Sequence, residues 1–172
     1  MKINIEKYNP DWKKMFEDEK QSLLTILSGQ GIKIEHIGST AVEGLGAKPV
    51  IDIMVGLTNF RYTDDLIPKI IGLGYRYIKE YDSIMPYRRF FVKENHGIRT
   101  HHIHMVEIGT NFWVRHLKFR DHLRTNKMDR EKYYQLKKEL SKREWADGNE
   151  YAYAKSEFIK KIEGKLDIVN YD

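Results

Sequence analysis

Residues 35–55 read EHIGSTAVEGLGAKPVIDIMV: two apolar runs of strand length, parted by small residues and the pair Lys48-Pro49. The first run begins at Ile32, alternates through Lys33-Ile34-Glu35-His36-Ile37, and stops at Gly38-Ser39-Thr40. The second follows Pro49, a tolerated place for proline at the head of a strand, and carries one carboxylate, Asp52, between Ile51 and Ile53. Side chains two apart in a strand share a face, so Asp52 and Met54 point one way and Ile51, Ile53 and Val55 the other. An aspartate in so apolar a run is costly to bury unless something pairs with it. Gly38, Ser39 and Thr40 offer a phosphate-binding turn beside it. Glycine lets backbone come close to a ligand, free N–H groups bind anions, and the Ser39 hydroxyl can donate to a phosphate oxygen. Alone, Gly-Ser-Thr is also an ordinary capped turn, and the spacing of a Walker motif is missing.

Upstream, Asn9-Pro10 reads as an N-cap followed by proline at the first helical position. The helix runs to about Leu27, with Trp12, Phe16, Leu23 and Leu27 on one stripe, and Gly29 and Gly31 end it. Downstream, Asp64 or Asp65 caps a second helix whose stripe is Leu66, Ile70, Ile71 and Leu73. Strands are expected over 75–79, 88–93 and 100–107, the last two forming an antiparallel hairpin through the Asn95-His96-Gly97 turn. From Asn111 onward the pattern is helical, over 112–125, 129–142 with Asp129 as N-cap, and about 151–166. The expected fold class is therefore α/β (α+β), a mixed β-sheet flanked by helices with a helical C-terminal third. A single domain is expected over 1–172, residues 1–110 forming the core and 111–172 packing on it.

Composition narrows the function classes. The 172 residues contain no cysteine, which excludes a disulfide framework and a thiolate zinc site. The N-terminus lacks a signal-peptide pattern and no apolar run approaches membrane-spanning length, so a cytoplasmic protein without membrane contact is expected. Lys and Arg number 30 against 25 Asp and Glu, a net charge of +5 that favours anionic partners. The bases are interspersed with acids, as in KKELSKRE, so nucleic acid is not indicated as a partner.

The run HIGSTAVEGLGAKPVIDIMV resembles the signature of the GrpB family, a largely uncharacterised group assigned to the nucleotidyltransferase superfamily. Further matching pieces are Tyr8-Asn9-Pro10-Asp11-Trp12, Arg99-Thr100-His101-His102-Ile103-His104 and Phe119-Arg120-Asp121-His122-Leu123-Arg124. Tyr133, Lys137, Lys155 and Phe158-Ile159 also fit, so the resemblance covers nearly the whole chain. It implies a nucleotidyltransferase-like fold in which the Gly-Ser turn binds phosphate and strand carboxylates hold a divalent metal. Active members of that superfamily carry two carboxylates at alternate strand positions and a third on a neighbouring strand. Here Asp52 fills the first position and Met54 the second. A thioether is a poor magnesium ligand.

His102 and His104 offer a substitute. If 100–107 is a strand, they share a face with Val106, while His101, Ile103 and Met105 lie opposite. Joined to Asp52, they make two imidazoles and one carboxylate, the set expected to hold a divalent metal and to do any catalytic work. Among Mg, Mn and Zn, this set suits zinc or manganese, or iron, better than magnesium. The same groups could instead contact phosphate or act as acid and base near neutral pH. A histidine-triad hydrolase also uses alternating histidines on one strand, but Val106 stands in the third place.

Lys48, Arg89 and Arg120 are the cations expected to complete an anion pocket. The strand phase allows only one of Arg88 and Arg89 to face inward. Arg120 and Arg124 share a helical stripe with Trp113 and Leu117, so each guanidinium needs a carboxylate, a carbonyl or a ligand; Asp121, Glu35 and Asp52 are candidate partners for Arg120. Lys155 could reach the site from the last helix, and Tyr8, Tyr87, Tyr133 and Tyr153 could stack on a base. The expected ligand is a nucleotide or other phosphorylated small molecule, with metal-dependent nucleotidyl or phosphoryl transfer as the reaction. The alternative is a non-catalytic binding or chaperone-like module with a degenerate site. Fusion of some family members to dephospho-coenzyme A kinase fits either a coenzyme-linked substrate or an accessory folding role.

Overall fold

The computed structural model describes residues 1–27 and 31–168; Gly29, expected to help end the first helix, lies outside them. Helix α1 (Asp11–Ile26) starts where Asn9 Oδ1 accepts from the Asp11 N–H at 2.9 Å, the capping role expected of Asn9. The alternating run after Gly31 becomes β1 (Lys33–Ile37), and the second apolar run becomes β2 (Ile51–Leu57). Helix α2 (Thr63–Gly72) follows a 3-10 turn over Phe60–Tyr62. The residue that caps this entry is Asn59, which accepts from the Arg61 N–H, rather than Asp64 or Asp65. Those two acids lie in the first turn of α2, where negative charge suits the helix dipole. β3 (Arg76–Tyr77) is shorter than expected, and β4 (Arg88–Asn95) and β5 (Ile98–Glu107) form the hairpin.

These strands form one mixed sheet in the order β1-β2-β5-β4-β3. β2 and β5 run parallel, and the other pairs are antiparallel. The two strand faces separate as the alternation predicts. Ile51, Ile53, Val55, Ile103 and Met105 pack with Phe91 against Trp12, Phe16 and Leu23 of α1 and Leu66 and Ile70 of α2. On the other face, Ile37, Met54 and Val106 meet Phe112 and Trp113 of helix α3 (Asn111–Thr125). Gly56 permits this close approach: a Cβ there would lie 2.4 Å from a Trp113 ring carbon.

Helix α4 (Lys127–Ser141) begins two residues earlier than expected, because Asn126 caps it by accepting from the Asp129 N–H. Asp129 is buried instead, and its carboxylate pairs with His122 of α3 at 2.8 Å and with Lys165 at 2.9 Å. The last expected helix is two, α5 (Gly148–Tyr153) and α6 (Ser156–Lys165), with Asp147 capping α5 through the Asn149 and Glu150 N–H groups. Ile3 is buried with Leu140, Trp145 and Tyr151, so the N-terminal segment packs against the C-terminal helices. Among the described residues, no helix is long and apolar enough to cross a membrane.

Candidate functional site

The parallel register sets Asp52 beside His102 and Met54 beside His104, while β4 places Phe90 beside His104 on the other flank. All five side chains belong to the face that carries α3. Helix α3 covers only part of it. Met54 is fully buried under Phe112 and Trp113, whereas Asp52, His102 and His104 stay partly exposed. Asp52 Oδ1 lies 3.0 Å from His102 Nδ1 and 3.7 Å from His104 Nε2. One ligand atom from each of the three residues lies within 4.8 Å of the others, so the expected trio is brought together.

The proton positions follow from the partners. Burial alone would raise the Asp52 pKa, but the hydrogen bonds from His102 and His104 outweigh it and hold the carboxyl well below the usual range. The ionised carboxylate only accepts, so His102 Nδ1 donates, and its Nε2 is left buried with no hydrogen-bond partner. Arg88 only donates, so His104 Nδ1, 3.2 Å from the Arg88 guanidinium, accepts and the ring proton sits on Nε2. Burial lowers the His104 pKa, with Asp52 opposing and Arg88 adding to the shift, so this ring is neutral at neutral pH. The carboxylate and the neutral imidazole carry the charges that a metal needs, but the nitrogen of each ring that faces Asp52 holds the proton, which a metal bound there would displace.

The turn at Gly38 is built around Asp52. Gly38 has φ +72°, and a Cβ on it would lie 2.5 Å from Asp52 Oδ2. Any other residue would be strained and would also displace the carboxylate. Ser39 and Thr40 line the same cleft as Asp52, but the Thr40 hydroxyl is already engaged with His36 Nε2 at 3.0 Å and the Val50 carbonyl at 3.2 Å.

This cleft, about 520 Å³, gathers Arg99, which pairs with Glu94 at 3.6 Å, and four further basic side chains: Lys48, Arg88, Lys137 and Lys155. Among the described residues none of the four pairs with a carboxylate. Burial lowers the pKa of each, to about 8 for Lys155 and about 6 for Lys137, and Lys155 adds to the shift at Lys137. The Lys137 amine donates to the Gly46 carbonyl, and Arg88 Nε has no partner. Cations so placed lack only an anion.

Two expected cations lie elsewhere. Arg89 is on the opposite face of β4, over the Phe60 ring and 3.4 Å from Asp64, so the strand phase selects Arg88 instead. Arg120 is buried and already answered by Glu35 at 2.7 Å, Asp121 at 2.8 Å and the His36 carbonyl at 3.0 Å. It clamps α3 to β1. Tyr8 lines a separate cavity with His36 and Arg124, Tyr153 is exposed, Tyr87 is half exposed beside Phe112, and Tyr133 is buried against Phe158. Lys137 was marked only by its match to the GrpB resemblance and was not assigned to the site, since only tertiary packing turns a helical lysine inward.

Fold and site thus define a mixed α/β protein with a carboxylate-histidine cluster at the floor of a cationic cleft. The GrpB protein family model matches residues 2–165, and the chain belongs to this family. The crystal structure of the conserved protein GrpB from Enterococcus faecalis is similar at a TM-score of 0.84 and 36% identity, covering 94% of this chain and 96% of that one. A UPF0157 protein of Halalkalibacterium halodurans is 35% identical over 161 residues, 93% of this chain and 80% of its own length. The UPF0157 protein YqkA of Bacillus subtilis is 34% identical over 94% of this chain, which spans 46% of that relative.

Proposed function

We propose that this protein binds a nucleotide or other phosphorylated small molecule, with phosphate in the cationic cleft and a divalent cation at Asp52, His102 and His104. The observation that carries this reading is the convergence of three cations without a carboxylate partner, Lys48, Arg88 and Lys155, and of the buried Lys137 amine, on the cleft whose floor holds Asp52. A phosphate would supply the missing partner of each, and Ser39 would add a donor. The donor set fits a metal. Ligand atoms around a tetrahedral zinc, with bonds of about 2.0–2.1 Å, lie roughly 3.3 Å apart. The observed 3.0 and 3.7 Å bracket that separation, and one ligand atom from each of the three residues lies within 4.8 Å of the others. Such a cation would neutralise phosphate charge, which supports metal-dependent nucleotidyl or phosphoryl transfer.

A second reading has its own observation. Met54 stands where a second carboxylate would serve two-metal transfer, and it is sealed under α3. This favours a binding or chaperone-like module that keeps the pocket without turnover. Thermal melting with tripolyphosphate, nucleotides, Mn²⁺ and Zn²⁺ tests the binding both readings share. The expected result is an upward shift with tripolyphosphate that Lys155→Ala removes, and one with Zn²⁺ that Asp52→Asn removes. Wild-type protein that responds to none of these ligands would sink it. Turnover that Asp52→Ala abolishes in a folded protein would then select the enzyme.

A further inference from the structure

Asp52 and His104 also line a second cavity, of about 260 Å³, between the sheet and helices α3 and α6. Its other walls are apolar or aromatic, from Ile37, Phe119, Tyr133 and Ile159. Two acceptors interrupt them, one on the buried Glu163 and one on the half-buried His116. Glu163 of α6 is 2% exposed; its Oε1 accepts from Arg115 Nε at 2.8 Å, and its Oε2 has no partner. Arg115 already answers the charge, so Oε2 lacks a hydrogen-bond donor rather than a cation. His116 Nδ1 lies 2.7 Å from the Phe112 carbonyl and must carry its proton there, which leaves Nε2 as an acceptor. A buried acceptor without a donor is destabilising, and a bound N–H or O–H would remove that cost.

The size sets the occupant. Cavities for whole drug-sized ligands run to about 300–1,000 Å³, so this one takes a single ring system and not a nucleotide. The two cavities share Asp52 and His104, which lets one ligand occupy both. We propose that this chamber holds the nucleobase of the ligand, and that Glu163 and His116 select a base bearing an exocyclic amino group. The inference rests on the phosphate reading of the adjoining cleft. Adenine and cytosine would donate N–H to Glu163 Oε2. Hypoxanthine and uracil would set a carbonyl oxygen against that carboxylate.

Calorimetric titration of the full chain with adenosine and with inosine tests the proposal, since the two purine nucleosides are alike in size. Wild-type protein should bind adenosine at least about tenfold more tightly, the range of a hydrogen bond to a charged group. Glu163→Gln, whose amide both donates and accepts, should bring the two within about threefold. Ile159→Trp, at a half-buried position one turn before Glu163 on α6, fills the chamber and should abolish adenosine binding in a protein that still melts cooperatively. Equal affinity for the two nucleosides, no nucleoside binding, or a preference that survives both substitutions would overturn the proposal. Tripolyphosphate titrated into the wild type reports on the phosphate cleft separately. If it binds while the nucleosides fail, only the base assignment falls; if it does not bind, the phosphate reading falls as well.

Discussion

Arg88 and Asp52 hold His104 in one tautomer. Arg88 donates to Nδ1 and thereby keeps the ring proton on Nε2, the nitrogen nearest Asp52. A metal at Nε2 requires that proton to leave, and a cation also meets the nearby guanidinium charge. Replacing Arg88 with Met removes both obstacles and keeps an unbranched side chain over Phe90. The expected outcome for Arg88→Met is Zn²⁺ affinity raised about tenfold, the scale on which groups behind a ligand tune a metal site. Tripolyphosphate affinity should fall in the same variant. Competition with a colorimetric zinc chelator reads the first change, and unchanged zinc affinity would mean that His104 does not bind metal through Nε2.

At the scale of elements, the pairing of β2 with β5 makes the site and α3 limits it. Introducing the second carboxylate as Met54→Asp would place a charge against Ile37, Val106, Phe112 and Trp113 with no partner. The expected loss is about 3–5 kcal/mol of stability, read as a lowered urea midpoint, with no gain of turnover. Much of this was legible beforehand. Period-two alternation correctly assigned Asp52 and Met54 to one face and His102 and His104 to one face, because strand geometry is local. The phase of β4 was not legible, since Arg88-Arg89-Phe90-Phe91 doubles each residue type and so has no alternation to read. Nor was the break between α5 and α6, or the inward turn of Lys137 and Glu163. Those depend on which neighbour each helix finds, and helical periodicity alone does not contain that information.

Over the whole molecule, the buried lysine of α4 couples the cleft to stability. Lys137 titrates near 6 in the folded protein and near 10.4 in an unfolded chain. Between those values the unfolded state binds the proton and the folded state does not, so this group makes stability rise with pH. The contribution is largest above pH 10 and is lost as pH falls toward 6. Lys137→Met removes it, so wild-type stability relative to the variant should climb by up to about 1.4 kcal/mol per pH unit between pH 7 and 9. Urea unfolding of both proteins across that range gives the slope. Parallel curves would mean that Lys137 keeps its proton on folding.

The parallel contact between β2 and β5 has a bearing on how the chain reaches this state. Asp52 and His102 are 50 residues apart, Glu35 and Arg120 are 85 apart, and Gly46 and Lys137 are 91 apart. Closing such long loops costs entropy before any of these contacts is rewarded, so non-local pairings of this kind assemble slowly. Neither the β1-β2 hairpin nor the β4-β5 hairpin contains both halves of the carboxylate-histidine cluster. The cluster therefore needs the long-range β2-β5 pairing in addition to both hairpins, and a ligand bound in the cleft as proposed would report on molecules in which that pairing has formed.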